Sequence, residues 1–202
     1  MALLGGTITP TPRSTKVAFP GPVTFEYDAR VMPFDPPVDA RFASHPTLQR
    51  FTLEPMKATH LDEVVAIEAI SFEAPWPRAA FERELSLAHA HPLVCLAHGQ
   101  VVGYVCPWLI SDEVQILRLA VAPSQRRRGA AATLLRAVMD QAYDAGAHWL
   151  YLEVEEGNHP AESLYQGMGF TIDAVRPDYY GRGRHALVMV LDLDSEWNGD
   201  EV

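Results

Sequence analysis

Apolar residues alternate with polar ones in seven short runs that predict strands. In four longer runs they recur at intervals of three and four, which predicts helices. The predicted order is β-α-α-β-β-β-α-β-α-β-β, with strands near 51–55, 93–97, 101–109, 114–121, 149–155, 170–175 and 186–193 and helices near 61–69, 78–87, 129–145 and 160–168. Such an order predicts an α/β (α+β) domain in which helices flank a mixed sheet.

Residues at the predicted helix ends fit this assignment. Thr59 precedes the first helix and can cap it. Gly146 follows the third helix, where a left-handed cap commonly ends a helix. Pro160 opens the fourth helix and Gly169 closes it, which matches the preference for proline at helix starts and glycine at helix ends.

The first quarter of the chain has a different character. Eight of the 16 prolines fall within residues 1–50, and this density excludes regular helix or central strand. Five aromatic residues in the same stretch make a docked arm a real alternative to disorder, because disordered tails are usually poor in aromatics. We therefore expect an N-terminal extension over 1–48, disordered or docked, one domain over 49–194, and an acidic tail over 195–202.

The net charge of the chain limits the kinds of molecule that we expect it to bind. The 202 residues carry 16 Lys and Arg against 26 Asp and Glu, a formal net charge of −10. This balance disfavours direct nucleic-acid binding and suits a cationic partner such as an amine or basic peptide, although acidic surfaces also serve solubility. No apolar run approaches the roughly 20 residues of a membrane helix, and the first residues lack a secretory signal pattern. We expect a cytoplasmic protein without a membrane partner, as a monomer or weak dimer.

Cysteine and metal chemistry find little support in the sequence. Cys95 and Cys106 lie in apolar strands, outside any CxxC pattern and without a basic neighbour. Buried reduced thiols are favoured over a disulfide, and a nucleophilic role is not indicated. His89 and His91 lie two apart with no convergent ligands, so we expect no metal.

The strongest chemical signal joins the strand at 114–121 to the helix at 129–145. Three arginines, a glycine and two alanines stand in this link: Arg126, Arg127, Arg128, Gly129, Ala130 and Ala131. Backbone N–H groups at a helix start have no intrahelical acceptor, and the helix dipole adds positive character. Together with small side chains that permit close approach, they predict a site for a pyrophosphate.

This segment resembles the signature Q/R-x-x-G-x-G/A of the GNAT superfamily of acetyltransferases, in the expected strand-to-helix context. The resemblance implies a GNAT-like, mostly antiparallel sheet and acetyl-CoA as co-substrate. It also implies that residues 126–131 hold the pyrophosphate. The pantetheine arm would lie along the strand backbone at Leu119, Ala120 and Val121.

Two further residues have side chains suited to acyl transfer. Glu153 lies on the polar face of the strand at 149–155, where a glutamate is usually only solvated. Its strand comes directly after the helix that begins at the predicted pyrophosphate site. In this position Glu153 becomes a candidate general base, acting directly or through a water. Tyr165 lies on the apolar face of the last helix and is in isolation more often a core aromatic, but its phenol is a candidate general acid.

The segments Leu152-Glu153-Val154, Asn158 and 161–170 resemble the RimI-type branch, the ribosomal-protein alanine N-acetyltransferases. The resemblance implies Glu153 as base, Tyr165 as acid and Asn158 as a contact to the pantetheine. Four aromatic or proline residues would shape a slot for a peptide N-terminus: Pro75, Trp76, Tyr179 and Tyr180. A loop anchored by aromatic packing is the alternative for the two tyrosines.

The chain departs from that branch at Arg184 and His185, which stand where the branch usually has an acidic pair. The substitution affects substrate identity more than chemistry. Three hypotheses follow. The first is an N-terminal protein acetyltransferase, with a small-subunit ribosomal protein as acceptor. The second is acetylation of a small amine or another peptide. The third is a catalytically silent CoA-binding module, which would need neither Glu153 nor Tyr165.

Overall fold

The structure, a computed structural model, describes residues 51–194. Within them the chain forms the seven strands and four α-helices expected, in the expected order. These are β1 (Thr52–Pro55), α1 (Leu61–Ser71), α2 (Arg78–Glu84), β2 (Leu93–Ala97), β3 (Gln100–Ile110), β4 (Glu113–Val121), α3 (Ala130–Asp144), β5 (Trp149–Glu155), α4 (His159–Gly167), β6 (Thr171–Gly181) and β7 (Arg184–Asp192). The predicted N-terminal extension over 1–48 and the acidic tail over 195–202 lie outside the described residues.

All seven strands join one sheet in the order β1-β2-β3-β4-β5-β7-β6. Neighbouring strands are antiparallel except β4 and β5, which are parallel. A parallel pair needs a crossover connection, and α3 supplies it. The expectation of a mixed, mostly antiparallel sheet flanked by helices is therefore confirmed.

Helices cover both faces of the sheet. One apolar cluster unites α3 and α4 with one face, and a second unites α1 and α2 with the other. In α3 the buried positions include Leu134, Leu135 and Met139, each with no exposed surface. Burying side chains of this size stabilises a fold by about 1.5–3 kcal/mol each, so this stripe fixes α3 against the sheet.

The parallel strands β4 and β5 pair over only half their length. Their register runs from Glu113 opposite Trp149 to Ile116 opposite Leu152 and then stops. At the same place β4 contains a bulge, since Cys106 opposes Arg118 whereas Pro107 opposes Ile116. A bulge bends its strand. Beyond it, β4 stays paired with β3 alone, and a gap opens in the sheet between β4 and β5.

Three local expectations need correction. Thr59 does not cap α1, because it lies inside a 3-10 turn (Ala58–His60) and His60 is the N-cap residue. Helix α2 ends at Glu84 rather than near residue 87. Strand β6 extends past residue 175 to Gly181, so Tyr179 and Tyr180 lie in a strand and not in a loop. Strand β6 is the sheet's edge, where Pro177 can be accommodated because no ladder bond is required of it.

Candidate functional site

The gap between β4 and β5 exposes one backbone edge of β4. Ala122 donates its N–H to the Val102 carbonyl on the β3 side. Because backbone groups alternate along a strand, those of Ala120 also face β3, whereas those of Leu119 and Val121 face the gap. The family resemblance implied that a pantetheine arm lies along these three residues. The open edge consists of the backbone groups of Leu119 and the N–H of Val121, since the Val121 carbonyl accepts a hydrogen bond from Arg126.

Helix α3 begins at the wide end of this gap. Its N-cap residue, Gly129, has φ +94°, a left-handed conformation that glycine adopts readily, and Arg127 is also left-handed at φ 61°. No side chain caps the helix start, so the first-turn N–H groups of Ala130 and Ala131 remain open to a ligand. Open N–H groups at a helix start are the geometry that an anion site requires, and the sequence predicts such a site here.

The Arg126 side chain is hydrogen-bonded within the protein. Its Nε donates to the Val121 carbonyl at 3.0 Å, and its Nη2 lies 3.5 Å from Ser71 Oγ in α1. The guanidinium thus links the end of β4 to α1. Any contact of Arg126 with a phosphate would have to come from its backbone or from a side-chain rearrangement.

Helix α4 begins on the other side of the gap, with Asn158 as its N-cap residue. The Asn158 carbonyl accepts the N–H groups of Ala161 and Glu162, but its exposed side chain makes no capping bond. Glu162 instead accepts the Gly157 N–H at 2.7 Å. The Asn158 amide group is therefore not used by the helix that it starts.

Glu153 lies on the side of the sheet that carries α1 and α2, because alternate residues of β5 are buried against α3 and α4 on the other side. Its Oε1 is 2.7 Å from Arg176 Nη1 on β6. This Oε1 is buried, yet among the described residues no donor is aligned for a hydrogen bond to it. The carboxylate is thus oriented by the Arg176 cation.

Two tyrosines of β6 stand beside Glu153. Burial, and then a hydrogen bond to Glu153, raise the pKa of Tyr179 to about 12. Burial is also the main cause that raises the pKa of Tyr180, followed by the Glu153 carboxylate. The two rings meet edge to face with centroids 5.0 Å apart. The structure therefore brings the predicted slot tyrosines together with the predicted base.

Tyr165 approaches from the opposite face of the sheet, on α4. It is 8% exposed, and its ring packs against Phe170 at 5.9 Å between centroids. Burial raises the pKa of Tyr165 to about 12, and Tyr180 acts in the same direction. Tyr180 thus lies near both Glu153 and Tyr165, which enter the site from opposite faces.

The link between α1 and α2, residues 72–77, carries Pro75 and Trp76 and is called the acceptor loop below. Pro75 is exposed, whereas Trp76 is half-buried with its ring 5.5 Å from that of Phe81. The Trp76 N–H donates to the Glu68 carboxylate at 2.7 Å. Glu68 has no exposed surface and also accepts a hydrogen bond from the Tyr104 hydroxyl.

A cation from β4 completes this buried group. Arg118 Nε lies 3.3 Å from Glu68 Oε1, an ion pair without hydrogen-bond alignment at the nitrogen. Its Nη2 donates to the Ala74 carbonyl at 2.9 Å, and its guanidinium lies 4.2 Å from the centre of the Phe72 ring. Sequence reasoning missed both charged residues. The available signals were a glutamate at an apolar helix position and an arginine inside an apolar strand.

Arg184 makes the second contact between the acceptor loop and the sheet. Its Nε and Nη2 donate to the two oxygens of Glu155 at 2.5 and 2.8 Å, and its Nη1 donates to Glu73 at 2.6 Å. This contact lowers the pKa of Glu155. Arg184, where the sequence departs from the RimI-type pattern, thus pairs with Glu155 at the end of β5 and with Glu73 in the acceptor loop.

The described residues also bear on the expectations for cysteine, metal and membrane chemistry. Cys95 and Cys106 are free, buried thiols, and burial raises the pKa of Cys95 to about 12. Across residues 51–194 no cluster of three or more His, Cys, Asp or Glu side chains is placed to hold a metal ion. In the same range no helix has the length and apolarity to cross a membrane.

Comparison with known proteins agrees with this geometry. The model of the acetyltransferase (GNAT) family matches residues 61–170. A Bacillus subtilis protein provisionally named ribosomal protein bS18-alanine N-acetyltransferase is 36% identical over 141 residues, covering 69% of this chain and 93% of its own. An N-alpha-acetyltransferase of Saccharolobus solfataricus is 30% identical over 156 residues, covering 71% and 93%.

Among solved structures, the ribosomal-protein-S18-alanine N-acetyltransferase of Escherichia coli superimposes with a TM-score of 0.67 at 24% identity. The match covers 76% of this chain and 100% of that one, so the two share a fold. Family match, relatives and fold agree with the open strand edge and the helix start beside it. The chain belongs to the GNAT family and is an acetyl-CoA-dependent N-acetyltransferase.

Proposed function

We propose that this enzyme acetylates the N-terminal α-amine of a protein, by direct attack of the amine on acetyl-CoA. One observation carries the proposal: Arg176 orients the Glu153 carboxylate beside Tyr179 and Tyr180, and the Glu153 side chain keeps 16% exposure. An amine N–H, or a water that bridges to it, would approach this exposed part of the carboxylate. A silent CoA-binding module, the third hypothesis from the sequence, would have no use for such a group.

Acetyl transfer to an α-amine requires only mild assistance from a general base. Acetyl-CoA is already an activated thioester, so the enzyme must orient a neutral amine and assist the leaving thiolate. At pH 7.4 roughly a quarter of an α-amine with pKa about 7.8 is neutral, against about 0.1% of a lysine with pKa about 10.4. Glu153, directly or through a water, would take the proton that the amine loses.

Tyr165 is the group proposed to protonate the departing CoA thiolate. A pKa of about 12 keeps its phenol protonated throughout the physiological range. Because Tyr165 and Glu153 enter from opposite faces, the acetyl group would be transferred within the gap between β4 and β5. The base would then act on the amine side and the acid on the sulfur side.

The cofactor would occupy the gap from its wide end. Its pyrophosphate would lie on the start of α3 at residues 126–131, with Arg127, Arg128 and the backbone N–H groups as the donors. The pantetheine would pair with the open edge of β4 at Leu119 and at the N–H of Val121, flanked by Ala120. The unused amide of Asn158 would contact it from the other side.

The acceptor would enter between the acceptor loop and β6, past Pro75 and Trp76 on one side and Tyr179 and Tyr180 on the other. Two observations favour a peptide terminus over a small amine. The proposed slot would have aromatic side chains on both sides, and the relatives reported above bear the names of enzymes that act on protein N-termini. Among such acceptors we propose the N-terminal alanine of a small-subunit ribosomal protein.

Thiol release from acetyl-CoA with a panel of acceptors tests the proposal. The panel contains the N-terminal peptide of the small-subunit ribosomal protein bS18, peptides with other first residues, lysine peptides and polyamines. Selective turnover of the alanine peptide supports the proposal. Turnover only with small amines would replace the proposal, and CoA binding without turnover of any acceptor in the panel would refute it.

The role of Glu153 has its own test. Glu153→Gln should reduce turnover chiefly at lower pH, where the amine is protonated and most needs a base. Glu156→Gln, which removes an exposed carboxylate three residues away, is the matched control and should leave the profile unchanged. An unaltered pH profile in Glu153→Gln would reject the base assignment.

A further inference from the structure

The bridge through Arg184 joins three segments that are far apart in sequence. Glu155 ends β5, Arg184 begins β7, and Glu73 lies in the acceptor loop, 111 residues from Arg184. The two bonds to Glu155 are bidentate and therefore fix the plane of the guanidinium. Its remaining nitrogen, Nη1, then points at the loop and meets Glu73 at 2.6 Å.

This bridge lies beside the reacting groups. Glu155 is two residues from Glu153 on the same face of β5. The charges of Glu153, Glu155 and Arg184 all act on the pKa of Tyr180. The bridge therefore spans the acceptor side of the site, next to the slot tyrosine.

The acceptor loop is held at three points. Its inner end is tied by the Trp76 N–H to the buried Glu68, and its middle by the Ala74 carbonyl to Arg118. Its outer part is tied at Glu73 through Arg184, on the surface. Without the outer tie, the loop would keep its two inner anchors, but the segment at Glu73 would be free to move relative to the end of β5.

We propose that Arg184 is a positioning residue for the acceptor: it straps the acceptor loop to the end of β5, so that the slot is shaped before the acceptor arrives. The inference rests on the proposed function for its substrate and on the observed contacts for its mechanism. Arg184 is 41% exposed and Glu73 is 80% exposed, so the tie is weak in water and sensitive to salt. Its effect belongs to the order of the loop rather than to the stability of the fold.

Kinetics of Arg184→Met and Glu73→Gln provide the first test. Each variant should raise the acceptor KM by about two- to fivefold, the scale of an exposed ion pair, with kcat and the acetyl-CoA KM unchanged. The double variant should be no worse than Arg184→Met alone, because both changes break the same contact. Additive effects of the two changes, or an equal loss in the acetyl-CoA KM, would overturn the proposal.

Arg182→Met is the matched control. It removes the same charge from the same turn, but Arg182 is exposed and has no recorded bond or ion pair within residues 51–194. It should leave the acceptor KM at the wild-type value. An equal rise in KM for Arg182→Met would mean that net charge, and not the strap, determines acceptor binding.

Hydrogen exchange tests the strap without any acceptor. Amide protection of the acceptor loop, measured at Phe72, Glu73, Ala74 and Trp76 because Pro75 has no amide proton, should fall in Arg184→Met and remain unchanged in Arg182→Met. If wild type acetylates no protein N-terminus but protection still falls, the proposed function fails and the strap remains. If protection is unchanged in Arg184→Met, the strap is wrong whatever the enzyme acetylates.

Discussion

The buried pair Glu68–Arg118 permits a quantitative prediction. Removing one partner of a buried ion pair costs roughly 3–5 kcal/mol, because the other charge is left unpaired. In Arg118→Met the carboxylate retains the Trp76 N–H and the Tyr104 hydroxyl, and the 18% exposure of Arg118 shows that water reaches the site. We therefore expect the lower end, about 3 kcal/mol of lost unfolding free energy.

The reciprocal change should cost less. Glu68→Gln keeps the side-chain shape, and the amide oxygen can still accept the Trp76 N–H. Arg118 retains its bond to the Ala74 carbonyl and its contact with Phe72, so a loss of about 1.5 kcal/mol is expected. With both charges removed no unpaired ion remains, and the double variant should lose about 2 kcal/mol. The coupling energy between the two residues is then about 2.5 kcal/mol.

Urea denaturation of the wild type, the two single variants and the double variant measures this coupling. Arg78→Met serves as control, because Arg78 also contacts two carboxylates, Asp62 and Glu82, but on the exposed surface. Its effect on the midpoint should be far smaller. A coupling energy below about 0.5 kcal/mol would refute the reasoning, since that is the value expected of residues that do not interact.

Three further results are expected. Tyr165→Phe should lower kcat about 100-fold with CoA affinity unchanged, because only the phenolic oxygen is lost; an equal loss of CoA binding by calorimetry would make Tyr165 structural. Gly129→Ala should weaken acetyl-CoA binding about 5- to 30-fold, since a left-handed alanine costs about 1–2 kcal/mol. Gly167→Ala, at a position without positive φ, should leave the affinity unchanged. Equal affinities of the two variants would contradict the pyrophosphate site at residues 126–131. The free energy of unfolding should fall as pH rises from about 9 to 12, because folding raises the pKa of Cys95 and of Tyr165 to about 12 and so favours their neutral forms. Urea denaturation at several pH values measures this fall. It would be contradicted if Cys95→Ala left the slope of unfolding free energy against pH unchanged.

Local pattern was sufficient for the order of the elements. The alternation of β5 and the bounds of β2 agree with the sequence residue by residue, because each strand buries one or both faces in a fixed core. Strand β6 was cut short for the converse reason. It is an edge strand with little burial, so residues 176–181 show no apolar alternation, and the edge tolerates Pro177.

The site was only partly predictable. Glu153 and the start of α3 stand in short motifs whose chemistry is local. Arg118 and Arg184 act on partners that the fold brings from 50 and 111 residues away, and no spacing along the chain announces such pairs. The motif also could not show that the Arg126 side chain turns back to Val121 and Ser71, since that choice depends on how α1 packs.

The half-paired β4 has a consequence for the enzyme's cycle. If the pantetheine arm occupies its open edge, the co-substrate acts as an eighth strand, and the apo sheet is incomplete until it binds. Acetyl-CoA and its product CoA carry the same arm, so the acetyl group can depart while the sheet stays whole. The enzyme should then be most fragile between turnovers, and a hundredfold excess of either form over its Kd should add about 2.7 kcal/mol to its stability.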